Sequence, residues 1–191
     1  MSGPRIIALV GLPGGGKTTV GRQLARRLGV RFVDSDAVIE QRLGESIRSY
    51  FEREGEQAFR DLEQATIEDL VNTWDGVLAT GGGVVLREAN RSVLRERALV
   101  VYLRSSPEEL ARRLKHDTKR PLLQVANPLG KLRELHDARD PMYCETAQFI
   151  VETGRPSVPM LVNMILMQLE LAGVLDPTNS PSPIDSGPSR T

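Results

Sequence analysis

Apolar and polar positions along the chain follow two alternating rhythms. Residues 5–10, RIIALV, form a short β-branched apolar run closed by Gly11, the pattern of a strand buried on both faces. After a glycine-rich turn, Val20, Leu24 and Leu28 recur at i, i+4 and i+8 among Arg22, Arg26 and Arg27, which predicts an amphipathic helix over 19–28 ended by Gly29. Further strands are expected at 31–34 (RFVD), 77–80 (VLAT), 98–103 (ALVVYL) and 149–151 (FIV). Helical stretches fill the intervals near 36–43, 46–73, 87–96, 106–115, 129–147 and 156–172. Strand alternating with helix predicts an α/β fold, a three-layer α/β/α arrangement around a five-stranded parallel sheet.

Two segments break the rhythm. Residues 116–128, HDTKRPLLQVANP, carry charge and two prolines without a clean period, as expected of a surface loop between helices. From Asp176 to Thr191 the chain holds four of its twelve prolines, with serine and almost nothing apolar, so it reads as a disordered tail behind a single domain of residues 1–175.

Composition narrows the class. Of 191 residues, 40% are hydrophobic and 26% charged, ordinary for a globular protein and foreign to collagen-like, coiled-coil or wholly disordered chains. Twenty-five basic residues balance 25 acidic ones, and a chain whose main business is binding nucleic acid needs a basic excess. The basic set is 21 arginines and only 4 lysines, an imbalance that genomic base composition accounts for as a group. Cys144 is the single cysteine, so an intrachain disulfide and a cysteine-cluster zinc site are both excluded. With no apolar run of membrane-spanning length and no signal-peptide pattern at the N-terminus, a cytoplasmic enzyme or switch is expected, and its state is expected to be monomeric.

The strongest chemical signal is Gly11-Leu-Pro-Gly-Gly-Gly-Lys17-Thr18, which fills every fixed position of the P-loop pattern G-x-x-x-x-G-K-[ST]. Glycines let successive backbone N–H groups turn inward on phosphate oxygens, and the following helix presents its positive end to the same anion. Lys17 can then reach the β- and γ-phosphates while the Thr18 hydroxyl ligates Mg²⁺. A P-loop leaves the acceptor open between water and a small molecule.

The second strand ends in Phe32-Val-Asp34-Ser-Asp36 and brings two carboxylates to the sheet edge where ligands bind in open α/β folds. On an extended segment both would point the same way, Asp34 toward Mg²⁺ and Asp36 toward an acceptor hydroxyl; capping of the next helix is the alternative for either aspartate, and an equal one for Asp36. Thr80-Gly81-Gly82-Gly83 follows the third strand and either admits a close ligand or makes a tight turn. That strand lacks the terminal aspartate of a usual Walker B, which weighs against a GTPase.

Four arginines are informative by position. Arg139 falls inside the apolar stripe traced by Leu132, Leu135, Met142 and Tyr143, so it needs an anion, either an internal carboxylate or a ligand's, unless Pro141 bends the helix out of phase. Arg60 lies three residues before Glu63 on a helix and can be oriented by it, or form an ordinary solvated pair. Arg120 sits in a proline-bounded loop suited to a closing lid, and Arg113 near a helix C-terminus suited to complementing its dipole.

Taken in order, GLPGGGKT, FVDSD, FRDLE, TGGG, KRPLL, ARDPMY and TGRP resemble the shikimate kinase family over nearly the whole chain except the tail. The resemblance implies a P-loop kinase fold with a substrate-binding helical insertion near 36–64 and a lid near 115–127. The implied activity is ATP-dependent phosphorylation of the shikimate 3-hydroxyl, in the route to chorismate and the aromatic amino acids. Carried over residue by residue, Gly14, Gly15, Gly16, Lys17, Thr18 and Thr19 would hold ATP, and Thr18 with Asp34 would hold Mg²⁺. Asp36, Arg60, Gly82 and Arg139 would bind shikimate. Lys17, Asp36 and Arg120 would be catalytic, with Arg120 on the lid, and Arg113 and Arg155 would lie against adenine. Pro13 in the P-loop and His116-Asp117 in the lid depart from the usual family pattern. A gluconate kinase-like enzyme and a nucleotide-dependent ATPase or binding switch are the competing readings.

Overall fold

A computed structural model describes residues 6–115 and 125–175. Five strands, β1 (Ile6–Val10), β2 (Phe32–Asp34), β3 (Gly76–Ala79), β4 (Leu99–Arg104) and β5 (Phe149–Glu152), make one sheet in the order β2-β3-β1-β4-β5. Every pairing is parallel, and β1 lies in register with both β3 and β4. The strong apolar runs anticipate this position: all five residues of β1 are buried. Its even-numbered Ile6, Ala8 and Val10 join one core with Leu78, Val100 and Tyr102, while Ile7 and Leu9 join a second core with Val77, Val101 and Leu103. Such a strand is coated on both faces, which is the condition for an all-parallel sheet.

Helices supply the coats. On one face lie α1 (Lys17–Leu28) and α8 (Val158–Leu171), packing Val20, Leu24, Leu161 and Ile165 onto the sheet. The other face is covered by α4 (Glu56–Thr73), α5 (Glu88–Arg97), α6 (Pro107–Leu114) and α7 (Pro128–Thr146), through Ile67, Leu94, Leu110 and Leu132. Two short helices, α2 (Ser35–Leu43) and α3 (Ile47–Glu54), connect β2 to α4. The three-layer α/β/α reading therefore holds.

The differences have local causes. The single helix expected over 46–73 is two, because Gly55 adopts φ +88 and breaks the ladder between α3 and α4. Helix α1 begins at Lys17 rather than Thr19, since Gly16, at φ +87, already caps it. A 3₁₀ turn, Val84–Leu86, follows the glycine triplet. Helix α7 runs through Pro141 without ending. The expected tail, and most of the expected lid, lie outside the described residues. Among those described, no helix is long and apolar enough to cross a membrane.

Gly76 opens β3 at φ +125, and a Cβ there would sit 2.3 Å from the Arg31 carbonyl oxygen that accepts from Val77. Gly76→Ala thus forces two backbones apart and is expected to lower stability by about 2–4 kcal/mol, read as a drop in the urea midpoint.

Candidate functional site

The loops after β1, β2 and β3 all leave the carboxyl edge of the sheet and meet there. A cavity of about 390 Å³ opens between them, lined by Gly14, Gly16, Lys17, Thr18 and Thr19 on one side and Asp34, Asp36 and the Thr80-Gly81-Gly82 turn on the other. Its floor is the first turn of α1, whose N–H groups have no intrahelical acceptors and converge on the cavity with the positive end of the helix. Lys17 is buried, its ammonium donating to the carbonyls of Gly11 (2.7 Å) and Leu12 (2.9 Å), so the charge is held against the loop it serves. Gly15 shapes that loop through its N–H to Leu12, and it does not line the cavity. These features make a polyanion site, and a triphosphate is the anion a P-loop fits.

Asp34 and Asp36 do not share one extended segment. Asp34 ends β2 and caps α2, its Oδ1 accepting from the N–H groups of Asp36 (2.9 Å) and Ala37 (3.3 Å), which places Asp36 in the helix's first turn. The capping role, open to either aspartate, is taken by Asp34 and not by Asp36. The other Asp34 oxygen, Oδ2, accepts from the Thr18 hydroxyl at 2.8 Å. A hydroxyl and a carboxylate oxygen thus converge beside the phosphate cradle, a donor pair suited to a hard divalent cation. No cluster of three acidic, histidine or cysteine side chains accompanies them among the described residues. Asp36 Oδ1 is buried with no hydrogen-bond partner among the described residues.

A second cavity, about 450 Å³, adjoins the first and shares Pro13, Asp36, Gly81 and Gly82 with it. Arg60 and Arg139 line it together with Glu63. The Arg60–Glu63 pair is no solvated surface feature: Arg60 Nη1 donates to Glu63 Oε1 at 2.8 Å, with side-chain exposures of 12% and 2%. Arg60 Nε is buried without a hydrogen bond and reaches only Glu56, at 3.6 Å. Burial raises the Glu63 pKa, against the pull of Arg60, Arg139 and Arg87. Arg139 forms no salt bridge with any described residue, so the internal carboxylate envisaged for it is not found among them. Opposed to these charges is an apolar wall of Ile47, Phe51 and Phe59. Sequence reasoning missed that wall, because its spacing is the same signal that marks any core-facing residue.

The remaining expected residues divide. Arg113 lines the first cavity, fixed by Glu109 at 2.6 Å and by the Thr153 carbonyl at 3.0 Å. Arg155 is exposed in the loop after β5 and does not line the cavity. Arg120 lies outside the described residues. The Thr80 hydroxyl donates to the Leu9 carbonyl at 2.8 Å and so belongs to the sheet. Cys144 is a free thiol whose pKa burial raises, the opposite of an activated nucleophile.

Comparison with known proteins gives a consistent picture. A family model described as "Shikimate kinase" matches residues 13–170. A shikimate kinase of Paracidovorax citrulli is 59% identical over 182 residues, covering 93% of this chain and all of that protein. One from Ralstonia nicotianae is 54% identical, covering 93% of each. Among solved structures, a shikimate kinase from Acinetobacter baumannii in complex with shikimate superposes with a TM-score of 0.85 at 44% identity, over 92% of this chain and 97% of that one. A gluconokinase from Sinorhizobium meliloti reaches a TM-score of 0.55 at 20% identity, a likeness of fold alone.

Burial, with Asp34 and Glu63 outweighing Lys17, pushes the Asp36 carboxyl from 3.8 up to about 6. Its charged form is the one able to accept a hydroxyl proton, so turnover is expected to fall as pH drops through about 6. The stability sign is opposite. Because the folded state binds this proton more tightly than the unfolded state, the ionised group destabilises the fold above its folded pKa, and that penalty fades toward pH 4. Asp36→Asn should therefore lose turnover by ~10²-fold or more while melting higher than the parent at pH 8, with the melting difference closing toward pH 4.

Proposed function

The chain belongs to the shikimate kinase family, and from that premise we propose how its residues divide the work of the reaction. The enzyme transfers the γ-phosphoryl group of ATP to the 3-hydroxyl of shikimate, giving shikimate 3-phosphate on the route to chorismate and the aromatic amino acids. The observation that carries the residue assignment is the shared wall of the two cavities. Asp36 stands on that wall, with Oδ1 buried and unpartnered, where a donor phosphate on one side would meet an acceptor hydroxyl on the other.

In this reading Gly14, Gly16, Lys17, Thr18 and Thr19 line the seat of the triphosphate, Gly15 shapes the loop that holds it, and Arg113 borders the nucleotide, while Arg155 would reach it only from outside this cavity. Arg120, which lies outside the described residues, would add positive charge to the transferring group. Asp36 accepts the proton of the attacking hydroxyl, and the rise in its pKa makes it a better base than an exposed carboxylate. Arg60 and Arg139 clamp the shikimate carboxylate at the far end of the second cavity, with Gly82 close to the ring, while Ile47, Phe51 and Phe59 cover its apolar face. Mg²⁺ would be held by Thr18 and Asp34 together with phosphate oxygens, and when bound it neutralises charge on the phosphates. In this reading the enzyme acts as a cytoplasmic monomer, one chain carrying both cavities.

A coupled ADP-release assay tests the acceptor directly. Shikimate is expected to drive release at least ~10²-fold above gluconate, a nucleoside monophosphate or no acceptor; equal release in every tube would leave only an ATPase. The family match ends at residue 170, so a chain stopped after Leu175 is expected to keep full shikimate turnover, measured in the same assay.

A further inference from the structure

Tyr143 is a buried hydroxyl that the reaction as described leaves unused. The residue is fully buried, and its ring lies tilted on Tyr102 of β4 with centroids 4.8 Å apart. Its phenol extends out of that core and donates to the Gly82 carbonyl at 2.5 Å. Arg139 stands one turn earlier on α7 and faces the same oxygen; its charge favours the phenolate against a burial effect that lifts the phenol to about 12. The phenol is thus neutral at physiological pH, its one proton committed to Gly82 and its lone pairs turned to a guanidinium. One oxygen atom thereby ties two walls of the acceptor cavity, the turn after β3 and helix α7.

We propose that Tyr143 is a positioning residue for shikimate: its hydroxyl holds Arg139 and the Gly82 turn in fixed relation, so that carboxylate and ring are gripped in one geometry. The two arginines of the cavity are anchored differently. Glu63 pairs directly with Arg60, whereas Arg139 makes no salt bridge with a described residue and lies beside the phenol, a neutral group that does not cancel its charge. A carboxylate in place of the phenol would orient Arg139 equally well and neutralise it. The proposal rests on the reading of Arg139 and Gly82 as shikimate contacts, and its test keeps the two apart.

Tyr143→Phe keeps the ring and its stacking and removes only the hydroxyl. The expected result is a roughly tenfold rise in KM for shikimate, with KM for ATP, kcat and melting temperature near the parent values. Tyr102→Phe is the comparison, since its hydroxyl goes to Asp140 at 2.7 Å and not to the cavity; it is expected to leave both KM values unchanged. Arg139→Ala is expected to raise KM for shikimate by more than Tyr143→Phe does. If Arg139→Ala raises that KM and Tyr143→Phe does not, the tyrosine proposal is overturned while the site reading stands. If Arg139→Ala leaves it unmoved, the site reading falls and takes the proposal with it. A Tyr143→Phe variant that shifts both KM values and the melting temperature together marks a structural role and likewise overturns the proposal. Should that variant fail to fold, Tyr143→Met, apolar and without a donor, gives the same test.

Discussion

A side chain on Gly81, Gly82 or Gly83 would run into another part of the site. A Cβ on Gly81 would lie 2.7 Å from Asp36 Oδ1, one on Gly82 would lie 2.5 Å from the Pro13 ring, and one on Gly83 would lie 2.2 Å from Arg60 Nη1. Three separate elements, the start of α2, the P-loop and α4, come into contact with one bare stretch of backbone, and each brings a different part of the chemistry. Because the turn has no bulk, the two cavities can share a wall thin enough for a phosphoryl group to cross. A methyl group anywhere on it would push base, phosphate loop or arginine outward, and misplacement by even about 1 Å is costly in a reaction that depends on positioning. The sheet serves this contact by delivering the ends of β1, β2 and β3 side by side.

Electrostatics make that convergence expensive. Asp36 and Glu63 are two carboxylates held near each other with pKa values pushed up by burial, and they are offset only in part by Lys17, Arg60 and Arg139. Stranded charges of this kind cost several kcal/mol each unless they are paired. The fold carries the cost because two apolar cores, one on each face of the sheet, hold β1 and β4 in place beneath the site. The site is accordingly the region where the fold gives up stability for function, and the orphaned Asp36 oxygen and Arg60 Nε mark where a ligand makes good the missing hydrogen bonds.

Much of this was legible in the sequence, for identifiable reasons. The inner strands β1, β3 and β4 declared themselves because both of their faces are buried, and the phosphate cradle because its glycines and lysine act through local backbone geometry. Arg139 stood out as a charge inside an apolar stripe. What stayed hidden was non-local or hinged on one dihedral. The break at Gly55 is invisible to a periodicity that runs straight across it. Spacing alone placed Asp34 and Asp36 on one extended segment, whereas the cap formed by Asp34 starts the helix between them. The Tyr143 phenol, one turn beyond Arg139, reaches the Gly82 carbonyl 61 residues away, a pairing that no pattern along the chain encodes. Arg155 matched its motif but stands outside the cavity that Arg113 lines.

The overall charge of zero conceals how selective the acceptor cavity is. A neutral polyol of similar size would match the apolar wall and place a hydroxyl against Asp36, yet it would leave Arg60 Nε without a hydrogen bond and the Arg139 charge without an anion. Leaving buried donors unpaired in the bound state carries a larger penalty than losing a few apolar contacts, which is why sites built around polar pairs reject analogues far better than greasy pockets do. A dianionic acceptor would meet the opposite obstacle, since Glu63 already neutralises one of the two guanidinium groups and Asp36 stands at the far end. The cavity is therefore balanced for one carboxylate at one end and a neutral hydroxyl at the other, and it is the local arrangement of the arginines, each with a different anchor, that sets this balance.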